Sequence, residues 1–176
     1  MELILIAAQS VDGFITRHDT PGSAFTSPED KTHFINSLKE FDCRVMGATS
    51  YRQTRDGTRR SAANGRFHAI LTRNPAAYAA EALPGQLEFT SETPHALVKR
   101  LADAGHRRCA LLGGSQIHHL FLQAGLVHEL WLTIEPVLFG TGTPLISGTC
   151  DVRLTLRARE SLSPDTLLLR YAVLKP

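Results

Sequence analysis

Two adjacent glycines open the segment whose residue types most strongly indicate ligand chemistry. Gly113 and Gly114 follow an apolar run and precede Ser115 and an amphipathic helical pattern. Glycines let the backbone approach a ligand closely, and the N-terminus of the following helix offers free N–H groups and a partial positive charge. The segment therefore fits a phosphate or pyrophosphate site. A tight strand-to-helix turn without a ligand fits the same residues equally well.

Asp30 is the carboxylate best placed for chemistry. It follows Ser27 by three residues, so it fits the capping-box position of a helix that begins at Pro28. Helical spacing also places it one turn before Phe34 and two turns before Leu38, on an apolar stripe. A carboxylate at the mouth of an apolar pocket has a raised pKa and can orient or protonate a nitrogen heterocycle. Both a helix cap and a functional carboxylate fit these residues.

Basic residues beside predicted strand ends could bind anions. Arg73 follows Thr72 just past one strand, where it could hold a phosphate at the carboxyl edge of a parallel sheet. Arg66, after Gly65, could bind an anionic substrate group in the same way. Each could equally be a solvated loop cation. Solvation is the simpler explanation for the other arginines of this region, Arg55, Arg59 and Arg60.

Other catalytic patterns are poorly supported. The residues after Ser115 lack the second glycine of a nucleophile elbow, which argues against a serine hydrolase. The adjacent residues His118 and His119 point to different faces of a helix, so they do not form a shared metal site. The three cysteines lie far apart, which argues against a disulfide framework and a cysteine-rich zinc site. We therefore expect no metal.

An alternation of predicted strands and helices positions these residues. The aliphatic run at residues 2–8 predicts a strand buried on both faces, and a long loop follows over residues 9–26. Further strands are predicted at residues 43–46, 67–71, 87–90, 108–112 and 126–135. Helices are predicted from residue 27 to about 40, briefly after residues 47–50, and over residues 93–105 and 115–124.

The remaining segments are predicted to be irregular or antiparallel. Residues 52–65 are polar and basic and are expected to be irregular, and residues 137–148 form a loop rich in Gly and Pro. Residues 152–158 and 166–174 predict an antiparallel hairpin at the edge of the sheet. Together the elements indicate an α/β fold with a mainly parallel central sheet, helices on both faces and a C-terminal antiparallel hairpin.

Composition excludes several classes of protein. The chain has 176 residues, of which 43% are hydrophobic, and this length suits one domain over residues 1–176. The formal net charge of +2 gives no reason to expect a nucleic-acid or acidic-membrane partner. No apolar run reaches the roughly 18 residues that span a bilayer. The N-terminal apolar run is too short for a signal peptide. We therefore expect a soluble, cytoplasmic protein.

Six segments in order carry a family resemblance. They are residues 10–15, 27–30 with 34, 45–51, 112–115, 125–130 and 135–145. With these segments the chain resembles the dihydrofolate reductase-like superfamily and, within it, the reductase domain at the C-terminus of the bifunctional riboflavin biosynthesis enzyme. The resemblance implies a reductase of that fold, a homodimer, NADPH binding and direct hydride transfer without a metal.

The resemblance also implies roles for individual residues. It places Ala8 and Ile15 beside the nicotinamide, and it places Thr72 and Arg73 at the adenosine 2′-phosphate, which favours NADPH over NADH. The other implied cofactor contacts are Gly47, Thr49, Ser50, Gly113, Gly114, Ser115 and Ile117.

A smaller set of residues is implied for the substrate. Asp30 falls where dihydrofolate reductases carry the carboxylate that grips the substrate ring, and Thr133 falls where a threonine backs that carboxylate. Arg66 matches the arginine that holds the folate tail, and Phe34 lies beside Asp30 on the substrate side.

Three functional hypotheses follow. The first is an NADPH-dependent reductase of a pyrimidine or pterin-like compound, such as the ribosylaminopyrimidine phosphate of riboflavin synthesis. The second is dihydrofolate reductase itself. The third is a nucleotide-binding module that has lost catalysis, which would bind NADPH without oxidising it in the presence of any substrate.

Overall fold

The central sheet has eight strands within residues 1–174, which are the residues that the computed structural model describes. The strands are β1 (Glu2–Ser10), β2 (Cys43–Gly47), β3 (Phe67–Leu71), β4 (Leu87–Thr90), β5 (Arg108–Leu111), β6 (Glu129–Glu135), β7 (Leu154–Ser161) and β8 (Leu167–Val173). Their order across the sheet is β4-β3-β2-β5-β1-β6-β8-β7.

All pairs formed among the first six strands are parallel. Strand β8 pairs antiparallel with both β6 and β7, so the C-terminal hairpin closes one side of the sheet with β7 at its edge. The predicted fold class is therefore confirmed, including the antiparallel hairpin.

Four α-helices connect the parallel strands. They are α1 (Pro28–Ser37), α2 (Ala48–Ala63), α3 (Pro94–Asp103) and α4 (Ser115–Gln123). Two 3-10 helices, at Leu38–Glu40 and Pro75–Glu81, extend the connections after α1 and β3.

Alternation along β1 shows how the sheet divides the core. Leu3 and Leu5 pack on the face that carries Leu97 of α3 and Phe121 of α4. Ile4 and Ile6 lie on the opposite face of β1. They pack in a second cluster with Phe34 of α1, Ala110 of β5, Trp131 of β6 and the connecting residues Leu38 and Phe41. Since both faces of β1 are covered, the continuous aliphatic run that predicted this strand is explained.

The prediction of irregular structure at residues 52–65 is wrong, because α2 runs from Ala48 to Ala63. Its backbone leaves helical geometry at Thr54 (φ −116°, ψ 17°) and then resumes. Only Tyr51, Thr58 and Ala62 are buried, at spacings of seven and four residues. This narrow stripe gives a polar sequence with little helical periodicity, so the helix depends on packing that the sequence hardly signals.

Several strand boundaries also differ from the prediction: β1 runs on to Ser10, and the strand predicted at residues 152–158 is Leu154–Ser161. Strand β6 begins at Glu129 and not at residue 126, because Gly125 ends the preceding helical segment with φ +65° and residues 126–128 complete the connection. Strand β5 ends at Leu111, after which Leu112 still donates its N–H to the carbonyl of Val45 at 2.8 Å.

Candidate functional site

A cleft of about 1750 Å³ opens at the carboxyl ends of the parallel strands. In parallel α/β sheets this edge is where ligands bind. The cleft brings together the predicted site residues from distant parts of the chain, with the exception of Gly113, which does not line it. The predicted residues that line it are Ala8, Ile15, Asp30, Phe34, Gly47, Thr49, Ser50, Arg66, Thr72, Arg73, Gly114, Ser115, Ile117 and Thr133.

The turns after β2 and β5 converge inside this cleft. The backbone N–H of Gly47 donates to the carbonyl of Gly113 at 2.7 Å, and the peptide between Gly113 and Gly114 is cis. The two turns lead directly into α2 and α4, so the N-termini of both helices are brought to one place.

Close contact between these turns explains why glycine occupies them. A Cβ at Gly47 would lie 2.9 Å from Cγ1 of Ile117, and a Cβ at Gly114 would lie 3.4 Å from Oγ of Ser50. Gly113 has φ +88°, and a Cβ there would lie 2.5 Å from Nε2 of His118. Gly47 and Gly113 therefore have no space for a side chain, and their backbone is what the turns can offer to a ligand.

Neither helix N-terminus is capped by its own side chain. The N-cap residues are Gly47 for α2 and Gly114 for α4, which have no side-chain acceptor for the first N–H groups. The hydroxyl of Ser115 is buried and has no hydrogen-bond partner among residues 1–174. Uncapped N–H groups, two helix dipoles and an unpartnered hydroxyl are together chemically suited to an anion such as a diphosphate.

His118 ties the loop after β6 to the glycine turn. Its Nδ1 lies 3.0 Å from the carbonyl of Leu145, which can only accept, so Nδ1 carries the proton. Burial lowers the pKa of His118 to about 4, so the ring is neutral at physiological pH. This histidine is a structural link between the turn and the loop.

Hydrogen bonds with the loop after β6 hold the loop after β1 in place. Asp12 accepts N–H groups of Phe139 and Gly140, the latter at 2.7 Å, and it accepts the hydroxyl of Ser10 at 2.6 Å. The N–H of Ile15 donates to the carbonyl of Thr143 at 2.8 Å. The two loops thus form one wall of the cleft and present Ile15 to it.

Two arginines line the cleft where β3 ends and near the N-terminus of α2. Thr72 and Arg73 follow β3 directly and line the cleft, as predicted for an anion-binding pair. Arg52 of α2 also lines it and donates to Thr49 Oγ1 at 3.1 Å and to Tyr78 Oη at 2.7 Å. Arg52 had no separate predicted role, because residues 52–65 were expected to be irregular, whereas it belongs to α2.

Two other arginines of α2 are held outside the cleft. Arg55 forms an ion pair with Glu81 at 2.9 Å, and Arg59 donates to the carbonyl of the same residue at 2.7 Å. Glu81 also accepts the hydroxyl of Tyr51 at 2.5 Å. These contacts support a structural role for both arginines.

Two side chains, those of Ser27 and Glu135, accept the free backbone N–H groups at the N-terminus of α1. Ser27 Oγ accepts the N–H of Asp30 at 3.1 Å, which confirms the cap. The backbone N–H of Ser27, however, donates to Oε1 of Glu135 on β6 at 2.8 Å, and Ser27 Oγ lies 3.0 Å from the same atom. Glu135 therefore takes the position that the side chain of Asp30 would fill in a capping box.

Asp30 is consequently available to the cleft. Its side chain is buried, with 7% of its surface exposed, and it lines the cleft together with Thr133. Burial raises the pKa of the Asp30 carboxyl, the charge of Glu135 adds to this rise, and the hydroxyls of Thr133 and Thr26 partly oppose it. The geometry supports a functional carboxylate over the simple capping box.

One cluster of possible metal ligands lies away from these residues. Ligand atoms of Asp42, Cys43 and His106 lie within 4.8 Å of one another. None of the three lines the cleft. The expectation that the protein uses no metal stays a prediction.

Besides Arg52, two other residues of the site were not predicted from the sequence. Glu135 belongs to a predicted strand, but its contact with Ser27 spans 108 positions of the chain, which no local pattern reveals. Arg44 is the one charged residue of the buried strand β2, and the partners of its side chain come from other parts of the chain. Both could have been found by asking which partner each buried charge would need.

Comparison with known proteins agrees with this architecture. Residues 2–168 match the family model of the RibD C-terminal domain. The chain belongs to the RibD C-terminal domain family. A relative in this comparison is the uncharacterized protein YwjB of Bacillus subtilis (strain 168), which is 25% identical over 159 residues and is covered to 88%, as is this chain.

Solved structures place this RibD C-terminal domain protein in the dihydrofolate reductase-like fold. A putative riboflavin biosynthesis protein from Shewanella sp. PV-4 has a TM-score of 0.75 at 19% identity, covering 99% of this chain and 100% of that one. Dihydrofolate reductase from Enterococcus faecalis, complexed with NADP(H), has a TM-score of 0.67 at 16% identity, covering 98% and 96%. The family and fold expected from the six segments are confirmed.

Within residues 1–174, none of the helices combines the length and the apolar composition needed to cross a bilayer.

Proposed function

We propose that the protein is an NADPH-dependent reductase that transfers a hydride to a pyrimidine or pterin-like ring. The observation that carries this proposal is the convergence of two uncapped helix N-termini, through the contact of Gly47 with Gly113, on one cleft that also contains Asp30. Membership of the RibD C-terminal domain family supports an oxidoreductase.

The residues present fit a dinucleotide phosphate. The unpartnered Ser115 hydroxyl and the free N–H groups of α2 and α4 would hold the diphosphate. Thr72 and Arg73 would hold the 2′-phosphate that distinguishes NADPH from NADH. Ala8 and Ile15 would flank the nicotinamide and exclude water from it. When bound, the nicotinamide supplies the hydride.

Asp30 supplies the polarising group for the substrate. Because its pKa is raised, the carboxyl holds a proton at a higher pH than an ordinary aspartate and can share that proton with a ring nitrogen. Protonating the ring makes the adjacent carbon a better hydride acceptor. Thr133 orients the carboxyl, and Phe34 supplies the apolar surface against which a flat ring packs.

A substrate panel tests the proposed activity. The purified protein is mixed with NADPH and each of a set of pyrimidines, including the ribosylaminopyrimidine phosphate, pterins and folates, and NADPH oxidation is followed by absorbance. We expect oxidation that depends on one class of heterocycle. NADPH binding without oxidation by any compound would instead support a nucleotide-binding module without catalysis.

Dihydrofolate reductase is the second candidate, favoured by the shared cleft position of Asp30, Thr133 and Arg66. It requires turnover of dihydrofolate and inhibition by antifolates. The absence of both in the same panel would eliminate it.

We further propose a cytoplasmic homodimer. The C-terminal hairpin exposes the apolar side chains of Leu154, Leu156 and Leu167. Its strand β7 lies at the edge of the sheet, where a second chain could pair with it. Light scattering of the wild type and of Leu156→Lys tests this assembly. A monomeric wild type would contradict it.

A further inference from the structure

Three side chains of types that bind metals meet at the edge of the sheet opposite the cleft. Asp42 directly precedes β2, Cys43 begins that strand, and His106 lies just before β5. One ligand atom from each lies within 4.8 Å of the other two. Because β2 and β5 are parallel neighbours, their amino ends meet here, whereas the turns at their carboxyl ends meet at the cleft.

The carboxylate of Asp42 is held in one orientation through only one of its oxygens. Oδ2 accepts the backbone N–H of Arg107 at 2.7 Å and that of Arg108 at 3.4 Å. Oδ1 is buried and has no hydrogen-bond partner within residues 1–174, and His106 Nδ1 lies 3.5 Å from it, which is too far for a good hydrogen bond. A buried carboxylate oxygen that is fixed in this way and accepts no proton is suited to bind a cation.

Packing positions the other two side chains of the cluster. The His106 ring lies against the ring of Phe67, with the two centroids 5.0 Å apart. Cys43 is a fully buried free thiol, and its Sγ lies 3.9 Å from Sδ of Met1. The side chains of Asp42 and His106 are 40% and 21% exposed, so an ion could reach the Cys43 sulfur from solvent between them without opening the core.

We propose that Asp42, Cys43 and His106 bind a zinc ion, with water as the fourth ligand. Thiolate, imidazole and carboxylate are the donors that Zn²⁺ takes in proteins, whereas Mg²⁺ and Ca²⁺ do not take sulfur and Cu(I) does not favour a carboxylate oxygen. Donors of a tetrahedral zinc ion lie roughly 3.3–3.8 Å apart, so Asp42 and His106 already have this spacing. The widest spacing in the cluster has to shrink by about 1 Å, which rotation of the two partly exposed side chains achieves.

The position of this ion in the fold indicates a role in holding strands together. It would join the starts of β2 and β5, the two strands whose other ends lead to Gly47 and Gly113. Asp42, Cys43 and His106 do not line the cleft, so the expected hydride transfer without a metal is unaffected. The broader expectation from the sequence, that the protein binds no metal, would be wrong.

Titration of the chelator-treated protein with Zn²⁺, followed by calorimetry, tests the site. We expect one zinc ion per chain, and Asp42→Asn, Cys43→Ser and His106→Gln should each weaken its binding about tenfold or more. The matched controls Cys150→Ser and His95→Gln remove a thiol and an imidazole elsewhere and should bind Zn²⁺ as wild type does. No binding up to about 0.1 mM Zn²⁺, or unchanged binding in any of the three ligand variants, would overturn the proposal.

Two further measurements keep the test valid if the buried substitution Cys43→Ser fails to fold. Co²⁺ in place of Zn²⁺ should give wild type and Cys150→Ser the near-ultraviolet charge-transfer band of a thiolate ligand. Zn²⁺ should raise the melting temperature of wild type but not that of His106→Gln, whose side chain is partly exposed. A cobalt spectrum without the thiolate band, or a wild-type melting temperature that does not respond to Zn²⁺, would contradict the zinc site.

Discussion

The backbone N–H of Ser27 donates to the carboxylate of Glu135 at 2.8 Å, across 108 positions of the chain. This contact completes the cap of α1 from β6 and leaves the Asp30 side chain free to face the cleft. It explains how a residue at a capping-box position can be a candidate for chemistry. The division of roles between Glu135 and Asp30 leads directly to a mutational prediction.

Asp30→Asn should lower turnover roughly a hundredfold or more while changing NADPH affinity little, because the carboxyl faces the substrate side of the cleft. Steady-state kinetics and NADPH titration measure the two effects. Glu29→Gln is the matched control, since it removes an exposed carboxylate from the same helical turn. An unchanged rate in Asp30→Asn would return Asp30 to a structural role.

The pH dependence of turnover follows from the same group. The pKa of Asp30 is raised chiefly by burial, so its protonated form persists to a higher pH than that of an ordinary aspartate. If this proton is donated, turnover falls as the pH rises through the raised pKa, and Asp30→Asn abolishes that fall. A pH profile of wild type identical to that of the variant would contradict proton donation.

Arg73→Ala should weaken NADPH binding at least tenfold and NADH binding by less than about twofold, because only NADPH carries the 2′-phosphate that Arg73 would hold. Calorimetric titration with both cofactors measures the difference. Arg107→Ala is the control for the loss of one exposed arginine. Equal losses for both cofactors would show that Arg73 does not bind the 2′-phosphate.

Gly47→Ala should weaken NADPH binding about tenfold, because its Cβ would lie 2.9 Å from Ile117 and would push the α4 turn away from the α2 turn. Gly57→Ala is the control, since a Cβ at that helical position meets nothing within 4 Å. Unimpaired NADPH binding by Gly47→Ala would mean that the close approach of the two turns is not needed for the cofactor.

The parallel core and the glycine turn could be predicted because their signals are local. The aliphatic run at β1 and the residues Gly113 and Gly114 before α4 mark their structures within a few positions. The helix at residues 52–63 could not be predicted, because α2 buries only a narrow stripe of residues and its backbone departs from helical geometry at Thr54. The pairing of Arg44 with His68 depends on which strands become neighbours, and only the three-dimensional register shows it.

Acid should destabilise the protein through His68 and His118. Burial lowers the pKa of each to about 4, so the folded state keeps them neutral while the unfolded chain protonates them below pH 6.5. Their contribution to the free energy of unfolding is fully present above pH 6.5, declines as the pH falls below that value, and is lost once the pH falls through about 4. This loss amounts to about 3 kcal/mol for each histidine.

Denaturant unfolding between pH 7 and pH 4 measures this loss. His118→Gln should reduce the pH dependence of the unfolding free energy relative to wild type, and His95→Gln, at an exposed position, should not. A pH dependence of His118→Gln equal to that of wild type would contradict a neutral buried His118.

Titration of the wild-type protein with NADPH, followed by calorimetry and by nucleotide fluorescence, tests the convergence of the α2 and α4 N-termini most directly. The structure predicts saturable binding with one NADPH per chain, weakened about tenfold in Gly47→Ala and retained in Gly57→Ala. No binding up to about 1 mM NADPH would contradict a dinucleotide site at these two turns, and with it the assignment as a reductase.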